Sequence, residues 1–192
     1  MKRWFISDTH FCHGNVIAYE NRPFRDAEHM NQVLIDNWNS VVSDDDEVYH
    51  LGDFGLGPKD VLKDICSRLK GQKFLIIGNH DGGPAKMKDI GFRCALYGAK
   101  IYIGKHKVFL QHIQPLVTDE YVLHGHVHSK KPNLIIQNSL NISVEVWNYA
   151  PVPEKVILHM LDKYHSKTGK EAEDYFKKHL IAQDFCTKYT AS

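Results

Sequence analysis

Five short apolar runs in this sequence each end in a cluster of aspartate, asparagine or histidine residues, and this recurrence constrains the fold more than any other feature. In chain order, the clusters contain Asp8 and His10, then Asp53, then Asn79 and His80, then His112, and last His126 and His128. One polar residue after a strand is accounted for by turn or cap chemistry, but five such clusters are not. In open α/β sheets ligands bind at the carboxyl ends of strands, so the clusters are predicted to converge.

The stretch YVLHGHVHSK places histidines at alternate positions, His124, His126 and His128. On a strand these side chains would share one face, which suits metal ligation better than core packing. Imidazole and carboxylate together suit zinc, manganese, iron, cobalt or nickel. The clusters offer too many ligands for one ion, whereas two ions sharing one carboxylate would use them all, and such a pair acts as a clamp for displacement at phosphorus.

The order of the elements predicts an α/β protein with two sheets. Up to Phe92, strands alternate with helices predicted over 26–42, from Pro58 to Gly71 and over 84–90, which favours parallel βαβ units. Beyond Phe92 the pattern favours hairpins, followed by a helix over 153–164. Asp26 is predicted to cap the first long helix. Val33, Val41 and Val61 are predicted on the apolar helix faces.

Composition excludes several classes of protein. The net charge is +1, which gives no strong attraction to nucleic acid or membrane. The four cysteines form no CxxC pair, so a thiolate zinc site is not expected. The sequence has neither a signal-peptide pattern nor an apolar stretch of ~18 residues that could span a membrane. We therefore predict a cytoplasmic protein with free thiols.

The ordered set of motifs resembles the calcineurin-like metallophosphoesterase superfamily. The motifs are Asp8-x-His10, Gly52-Asp53, Gly78-Asn79-His80-Asp81, His112 and Gly125-His126-x-His128. The segments ISDTHFCHGN, NRPF, YHLGDF and NISVEVWNYAPV also resemble a branch of small bacterial and phage phosphoesterases. The resemblance implies a four-layer α/β/β/α fold, with two mixed β-sheets packed face to face and flanked by helices. We assign it to residues 1–164, and residues 165–192 to a C-terminal helical extension.

The resemblance also implies roles for the clustered residues. It gives the first metal Asp8, His10 and His128, makes Asp53 the bridge between two ions, and gives the second metal Asn79, His112 and His126. It places His80 beside the metals, as a catalytic residue together with Asp53. It implies two divalent ions, for which manganese is our choice, with iron, nickel, cobalt or zinc as alternatives.

The implied reaction is the hydrolysis of phosphate esters, as a phosphodiesterase or phosphomonoesterase or both, by a hydroxide that bridges the metals. The substrate would be a small phosphate ester or nucleotide-like molecule. His13, Asn15 and Arg22 are the residues expected to contact it. Alternatives are a nuclease acting on nucleic-acid ends, which the weak net charge does not favour, and a non-enzymatic scaffold with the same fold.

Smaller expectations concern residues near the motifs. His124 is expected to be buried and hydrogen-bonded, and Gly125 to let the backbone approach the metals closely. Asp81 is expected either to orient His80 or to cap a helix, and His50 to support the ligands. His106 and the remaining helical histidines are expected to be solvated. The extension carries a partial apolar stripe over 170–189, expected to pack on its own domain or to form a homo-oligomer.

Overall fold

The computed structural model describes residues 1–115, 119–130, 135–136 and 138–165. The first half contains β1 (Arg3–Ile6), α1 (Gly14–Tyr19), α2 (Ala27–Val41), β2 (Glu47–His50), α3 (Lys59–Arg68), β3 (Gln72–Ile76) and α4 (Pro84–Ile90). The second half contains β4 (Cys94–Leu96), β5 (Ala99–Ile103), β6 (His106–Leu110), β7 (Tyr121–His124), β8 (Ile135–Ile136), β9 (Ser139–Asn141), β10 (Val152–Pro153) and α5 (Glu154–His165). The extension predicted beyond α5 lies outside the described residues.

The strands form two five-stranded sheets, and both are mixed. The first has the order β10-β1-β2-β3-β4, with β1 to β4 parallel and β10 antiparallel at the edge. The second has the order β5-β6-β7-β9-β8, where β6, β7 and β9 are parallel and the two edge strands are antiparallel. The predicted pair of mixed sheets with flanking helices is confirmed.

Successive side chains of β1 point to opposite faces of the first sheet, and both faces are buried. Trp4 and Ile6 pack with α2, α3 and α4, whereas Phe5 faces the second sheet and α5. Each such buried apolar side chain contributes about 1.5–3 kcal/mol relative to exposure. The predicted helix faces are broadly correct, but Val61 is 44% exposed. The predicted cap is confirmed, since Asp26 accepts a hydrogen bond from the His29 N–H at 2.8 Å.

The register brings the carboxyl ends of the parallel strands level with one another. Ile6 pairs with His50, and His50 with Leu75, so β1, β2 and β3 end along one line. In the second sheet, Leu110 pairs with Leu123 at the ends of β6 and β7. A bridge between Ser7 and Ser143 joins the segment after β1 to the segment after β9. The polar clusters of both sheets therefore emerge at one edge of the molecule.

Candidate metal centre

The loops that leave the strands have unusual backbone conformations at the clustered residues. Positive φ angles occur at Asp8 (58°), His10 (50°), Asp53 (57°), His126 (71°) and His128 (48°). Non-glycine residues rarely adopt this left-handed conformation, and each instance carries a modest energetic cost. Its recurrence at five of the expected ligands indicates that the loops are shaped to direct these side chains.

Asp8, His10 and His128 form what we call the first group, with potential ligand atoms within 4.8 Å of one another. Asp8 and His10 are buried. The Asp8 carboxylate accepts hydrogen bonds from Ser143 Oγ at 2.7 Å and from the His126 N–H at 3.1 Å. Burial raises the pKa of this carboxyl, which indicates that its charge needs compensation.

The His128 ring is held by a carboxylate that the sequence did not single out. Its Nδ1 lies 2.7 Å from Glu145 Oε1, so Nδ1 donates the hydrogen bond and Nε2 remains free for another ligand. Burial alone would lower the pKa of His128, but the Glu145 hydrogen bond and the Asp8 charge outweigh it and raise that pKa. A carboxylate in this position orients metal-ligating imidazoles in many proteins.

Asp53, His112 and His126 form the second group, also with potential ligand atoms within 4.8 Å of one another. His112 Nδ1 donates to the Leu51 carbonyl at 2.8 Å, which leaves Nε2 facing Asp53 Oδ2 at 3.3 Å. The Asn79 side-chain oxygen lies 3.0 Å from the same Nε2. Burial opposes protonation of His112, but the hydrogen bond to Asp53 and the nearby carboxylates raise its pKa to about 8.

One oxygen of Asp53 lies between the two groups. Its Oδ2 is 3.5 Å from His10 Nε2 and 3.3 Å from His112 Nε2, while Oδ1 accepts the His80 N–H at 2.9 Å. Burial alone would raise the pKa of Asp53, but the hydrogen bonds from His112 and the His80 N–H outweigh it and lower that pKa. An ionised carboxylate in this place can serve both groups at once.

The unpaired nitrogen of His10 tests whether these residues fit a metal. His10 Nε2 is buried and has no hydrogen-bond partner among the residues that the structure describes. Burial lowers the pKa of His10 to about 2, so the ring is neutral and keeps the lone pair that a cation needs. A buried nitrogen without a partner costs about 1–3 kcal/mol, which coordination would offset. The donor set of imidazole, carboxylate and amide fits a divalent transition metal.

Gly125 allows the backbone of the fifth cluster to approach the first. A Cβ atom at this position would overlap Ser7 Oγ and the Asp8 carboxylate. The expected close approach is confirmed, and it explains why the His126 N–H can reach Asp8. His124 is also as expected, because it is buried and its Nδ1 lies 2.9 Å from the Gly125 carbonyl oxygen.

Arg22 occupies a position that differs from the expected substrate contact. Its side chain is fully enclosed, and its guanidinium donates to the carbonyls of Asp8 at 2.7 Å and Thr9 at 3.0 Å. Its Nε donates to Glu145 Oε1 at 3.0 Å. These hydrogen bonds use the N–H donors of the Arg22 guanidinium within the protein, so the side chain is not available to bind a substrate directly.

Asp81 has neither of the two roles that the sequence suggested. Its carboxylate accepts the N–H groups of Gly78 at 2.9 Å, Asp53 at 2.8 Å and Phe54 at 2.9 Å. The following helix, α4, is instead preceded by Gly83. Asp81 therefore ties the Asp53 loop to the Asn79 loop, and burial raises its pKa despite these donors.

His80 and His13 lie beside the first group on its more open side. The His80 ring is 5.4 Å from the His10 ring and 6.2 Å from the His13 ring, measured between centroids. His80 is exposed and His13 is half-buried. Asn15 is exposed on α1. These three side chains are therefore available to molecules from solvent.

Two other histidines are buried. His50 Nε2 lies 3.0 Å from Thr9 Oγ1, which donates to the Phe54 carbonyl, so His50 supports the loops behind the ligands. His106 pairs with Asp162 at 2.8 Å, and the expectation that it is solvated is wrong.

Sequence reasoning missed Glu145 and Ser143. A signal for Glu145 was present, because it is the only charged residue in the stretch NISVEVWNYAPV. Ser143 lies in the same stretch and offers no comparable signal, since serine is common in loops.

Comparisons with known proteins identify the family. The family model described as calcineurin-like phosphoesterase matches residues 1–191. The chain belongs to this family of phosphoesterases, and its two ligand groups are candidate sites for the metals that the family uses. Among the described residues, no helix combines the length and the apolar character needed to cross a membrane.

Individual proteins resemble the chain over most of its length. The uncharacterized protein MJ1445 of Methanocaldococcus jannaschii is 38% identical over 172 residues, which cover 84% of this chain and 92% of that protein. The Gene 66 protein of Mycobacterium phage L5 is 28% identical, with 86% of this chain and 97% of that protein covered. A solved structure of the Aquifex aeolicus protein AQ665, of unknown function, has a TM-score of 0.64 and 25% identity, covering 81% of this chain and 97% of that one.

Proposed function

We propose that this chain hydrolyses phosphate esters, as a phosphodiesterase, a phosphomonoesterase or both, with one divalent ion in each ligand group. The observation that carries the proposal is the shared carboxylate, because Asp53 Oδ2 lies within 3.5 Å of a histidine from each group. An oxygen placed in this way suits two cations held close together better than two independent sites.

The geometry supports a set of ligands for each ion. The first ion would be held by Asp8, His10 and His128, and the second by Asn79, His112 and His126, with Asp53 shared between them. When bound, such a pair lowers the pKa of water and offsets negative charge on the phosphate. We propose manganese for the assay, with iron, nickel, cobalt and zinc as alternatives.

The remaining side chains would bind and protonate the substrate. His80 is exposed beside the first group, and we propose that its ring donates a proton to the leaving oxygen. His13 would donate a hydrogen bond to a phosphate oxygen, and Asn15 is a further candidate at the same opening. Arg22 would act through Asp8, Thr9 and Glu145 as a positioning residue.

Replacing His80 tests the proposed reaction directly. The protein would be assayed with p-nitrophenyl phosphate, bis-p-nitrophenyl phosphate and an alkyl ester with a poor leaving group, in each of the five metals. The His80→Ala variant is expected to keep its metals and to lose about 10²–10⁴-fold in kcat on the poor leaving group. The decrease in kcat on the p-nitrophenyl esters should be smaller, because p-nitrophenolate needs less protonation in order to leave.

A histidine outside both groups provides the control. His159→Ala, on α5, is expected to retain full activity. Full activity of His80→Ala on the poor leaving group would remove the proposed acid. A chain that binds less than one ion and hydrolyses none of the esters would instead be a scaffold, and the proposed function would be wrong.

A further inference from the structure

A pocket opens directly beside the second group. Its volume is about 570 Å³, and it is lined by Ile77, Asn79, Tyr97, Gln111, His112 and Ile113, among others. Two of these residues, Asn79 and His112, also belong to the proposed second site. The volume is within the usual range for small-molecule sites, so the pocket can take a group attached to a phosphate at the metal centre.

The chemistry of this pocket indicates an uncharged aromatic group. Among the described residues that line it, none is lysine, arginine, aspartate or glutamate. Tyr97 is 73% exposed and Ile113 is 56% exposed, although both are large and largely apolar. Such side chains, placed at the rim of a site, provide a flat surface on which a ring can stack.

Gln111 adds a directional hydrogen-bond acceptor. Its Nε2 donates to the Ile113 carbonyl at 2.6 Å, and a carbonyl can only accept, so the orientation of the amide is fixed. None of the residues that the structure describes donates a hydrogen bond to its side-chain oxygen, so this oxygen can accept one from a ligand. An aromatic ring with an N–H group can stack on Tyr97 and donate a hydrogen bond to Gln111.

We infer that this pocket binds the base of a nucleotide substrate, with the base stacked on Tyr97 and a ring N–H donated to Gln111. The inference rests on the proposed phosphoesterase function and specifies its substrate class. A nucleobase is the ligand of choice because it is planar, uncharged and carries N–H donors, whereas a lipid tail or a sugar lacks a planar aromatic ring. The substrate is then a nucleoside phosphate diester rather than a simple alkyl ester.

Three diesters with the same p-nitrophenyl leaving group test the inference. The group retained on phosphorus is methyl, phenyl or thymidine-5′-yl, and kcat/KM is measured with the manganese-loaded chain. The thymidine ester is expected to exceed the methyl ester by about tenfold, since stacking on an aromatic side chain contributes on this scale. The phenyl ester should lie between them, because it stacks but donates no hydrogen bond.

Variants locate the preference in the pocket. Tyr97→Ala should lower the thymidine-to-methyl ratio and bring the phenyl ester to the level of the methyl ester, whereas Tyr97→Phe should retain both ratios, because the ring remains. Gln111→Met should bring the thymidine ester down to the level of the phenyl ester. Tyr102→Ala, which changes a similarly exposed tyrosine on β5, is the matched control and should leave all three ratios unchanged.

The outcomes separate the inference from the proposed function. Hydrolysis of all three esters at equal rates would overturn the nucleobase site while leaving the phosphoesterase proposal intact. A thymidine preference that is undiminished in Tyr97→Ala, or a phenyl ester as good as the thymidine ester, would also overturn it. Failure on all three diesters with p-nitrophenyl phosphate still hydrolysed would overturn the inference, whereas failure on all four esters would count against the proposed function itself.

Discussion

The two ligand groups contain similar residue types, yet different parts of the chain hold them in place. In the first group, side chains from distant segments hold the ligands: Ser143 contacts Asp8, and Glu145 contacts His128. In the second group, backbone groups do most of this work, with the Leu51 carbonyl on His112 and the His80 N–H on Asp53.

The difference extends to solvent access. Asp8 and His10 are buried, whereas Asn79 and His126 are exposed and the pocket opens beside them. A buried group that depends on side chains is precise but vulnerable to single substitutions far along the chain. A group with an exposed ligand such as His126, held largely by the backbone, tolerates substitution and allows exchange with solvent. The first group is therefore expected to act as the fixed part of the site, and the second as the part that meets the substrate.

The largest expected effect comes from Asp53→Asn, which removes the charge that both groups share. The variant should bind at most one ion per chain, and its activity should fall beyond the roughly 10²–10³-fold that the loss of one charge-stabilising contact costs. Metal content after gel filtration and kcat on bis-p-nitrophenyl phosphate are the measurements. Asp60→Asn, an exposed carboxylate on α3, is the control. Two ions retained in Asp53→Asn would contradict a shared ligand.

Glu145→Gln should weaken metal binding by the first group alone. The amide keeps the shape of the side chain but loses the charge that orients the His128 ring, and such outer contacts typically account for about 10–100-fold in metal affinity. Calorimetric titration with manganese should show one of two binding events weakened by this factor. If both events weaken equally, the two groups are not held independently.

Asp81→Asn is the corresponding test of the second group. Asp81 Oδ2 accepts the Gly78 and Asp53 N–H groups and Oδ1 accepts the Phe54 N–H, so an amide nitrogen would face at least one of these donors and the junction of the Asp53 and Asn79 loops should loosen. The second binding event should weaken, and the free energy of unfolding should fall by about 1–3 kcal/mol. Urea denaturation together with the same titration measures both. A variant that weakens only the event weakened by Glu145→Gln would contradict the distinction.

Chelation should remove the two ions in sequence. Since Asn79 and His126 are exposed and Asp8 and His10 are buried, a chelator is expected to take the second ion before the first. Rapid mixing with EDTA, followed by metal analysis at increasing times, should show two phases of similar amplitude. Loss in a single phase would indicate that the ions leave together.

The smallest expected effect is that of Ser143→Ala, which removes one hydrogen bond to Asp8 Oδ2. A net hydrogen-bond contribution of about 0.5–1.5 kcal/mol corresponds to about 2- to 10-fold weaker binding of the first ion. Ser40→Ala on α2 removes a hydroxyl remote from both groups and is the control. If Ser143→Ala weakened binding of the second ion, the assignment of this hydroxyl to the first group would be wrong.

The fold and the convergence of the ligands could be predicted because their signals are local. An apolar run followed by a polar cluster defines a strand end, and parallel pairing then brings the ends of β1, β2 and β3 together. The cap at Asp26 is equally local, since it involves residues three positions apart.

The contacts that hold the ligands could not be predicted in this way. Arg22 and Glu145 form a hydrogen bond although they are 123 positions apart in the sequence. No sequence pattern predicts that an arginine will face the protein interior rather than a substrate. The role of Asp81 depends on backbone N–H groups, which every residue except proline carries. No pattern in the sequence therefore predicts this role. His106 is buried by α5, whose packing is a tertiary property.

The bridge between Ser7 and Ser143 bears on the order in which the protein matures during translation. When residue 130 has just left the ribosome, every proposed ligand is outside it, but Ser143 and Glu145 are still inside the exit tunnel. A nascent chain at that stage could assemble the backbone-supported half of the centre, while Asp8 and His128 still lack the side chains that hold them. Full loading with metal would then wait for the last part of the domain, which couples cofactor acquisition to the completion of synthesis.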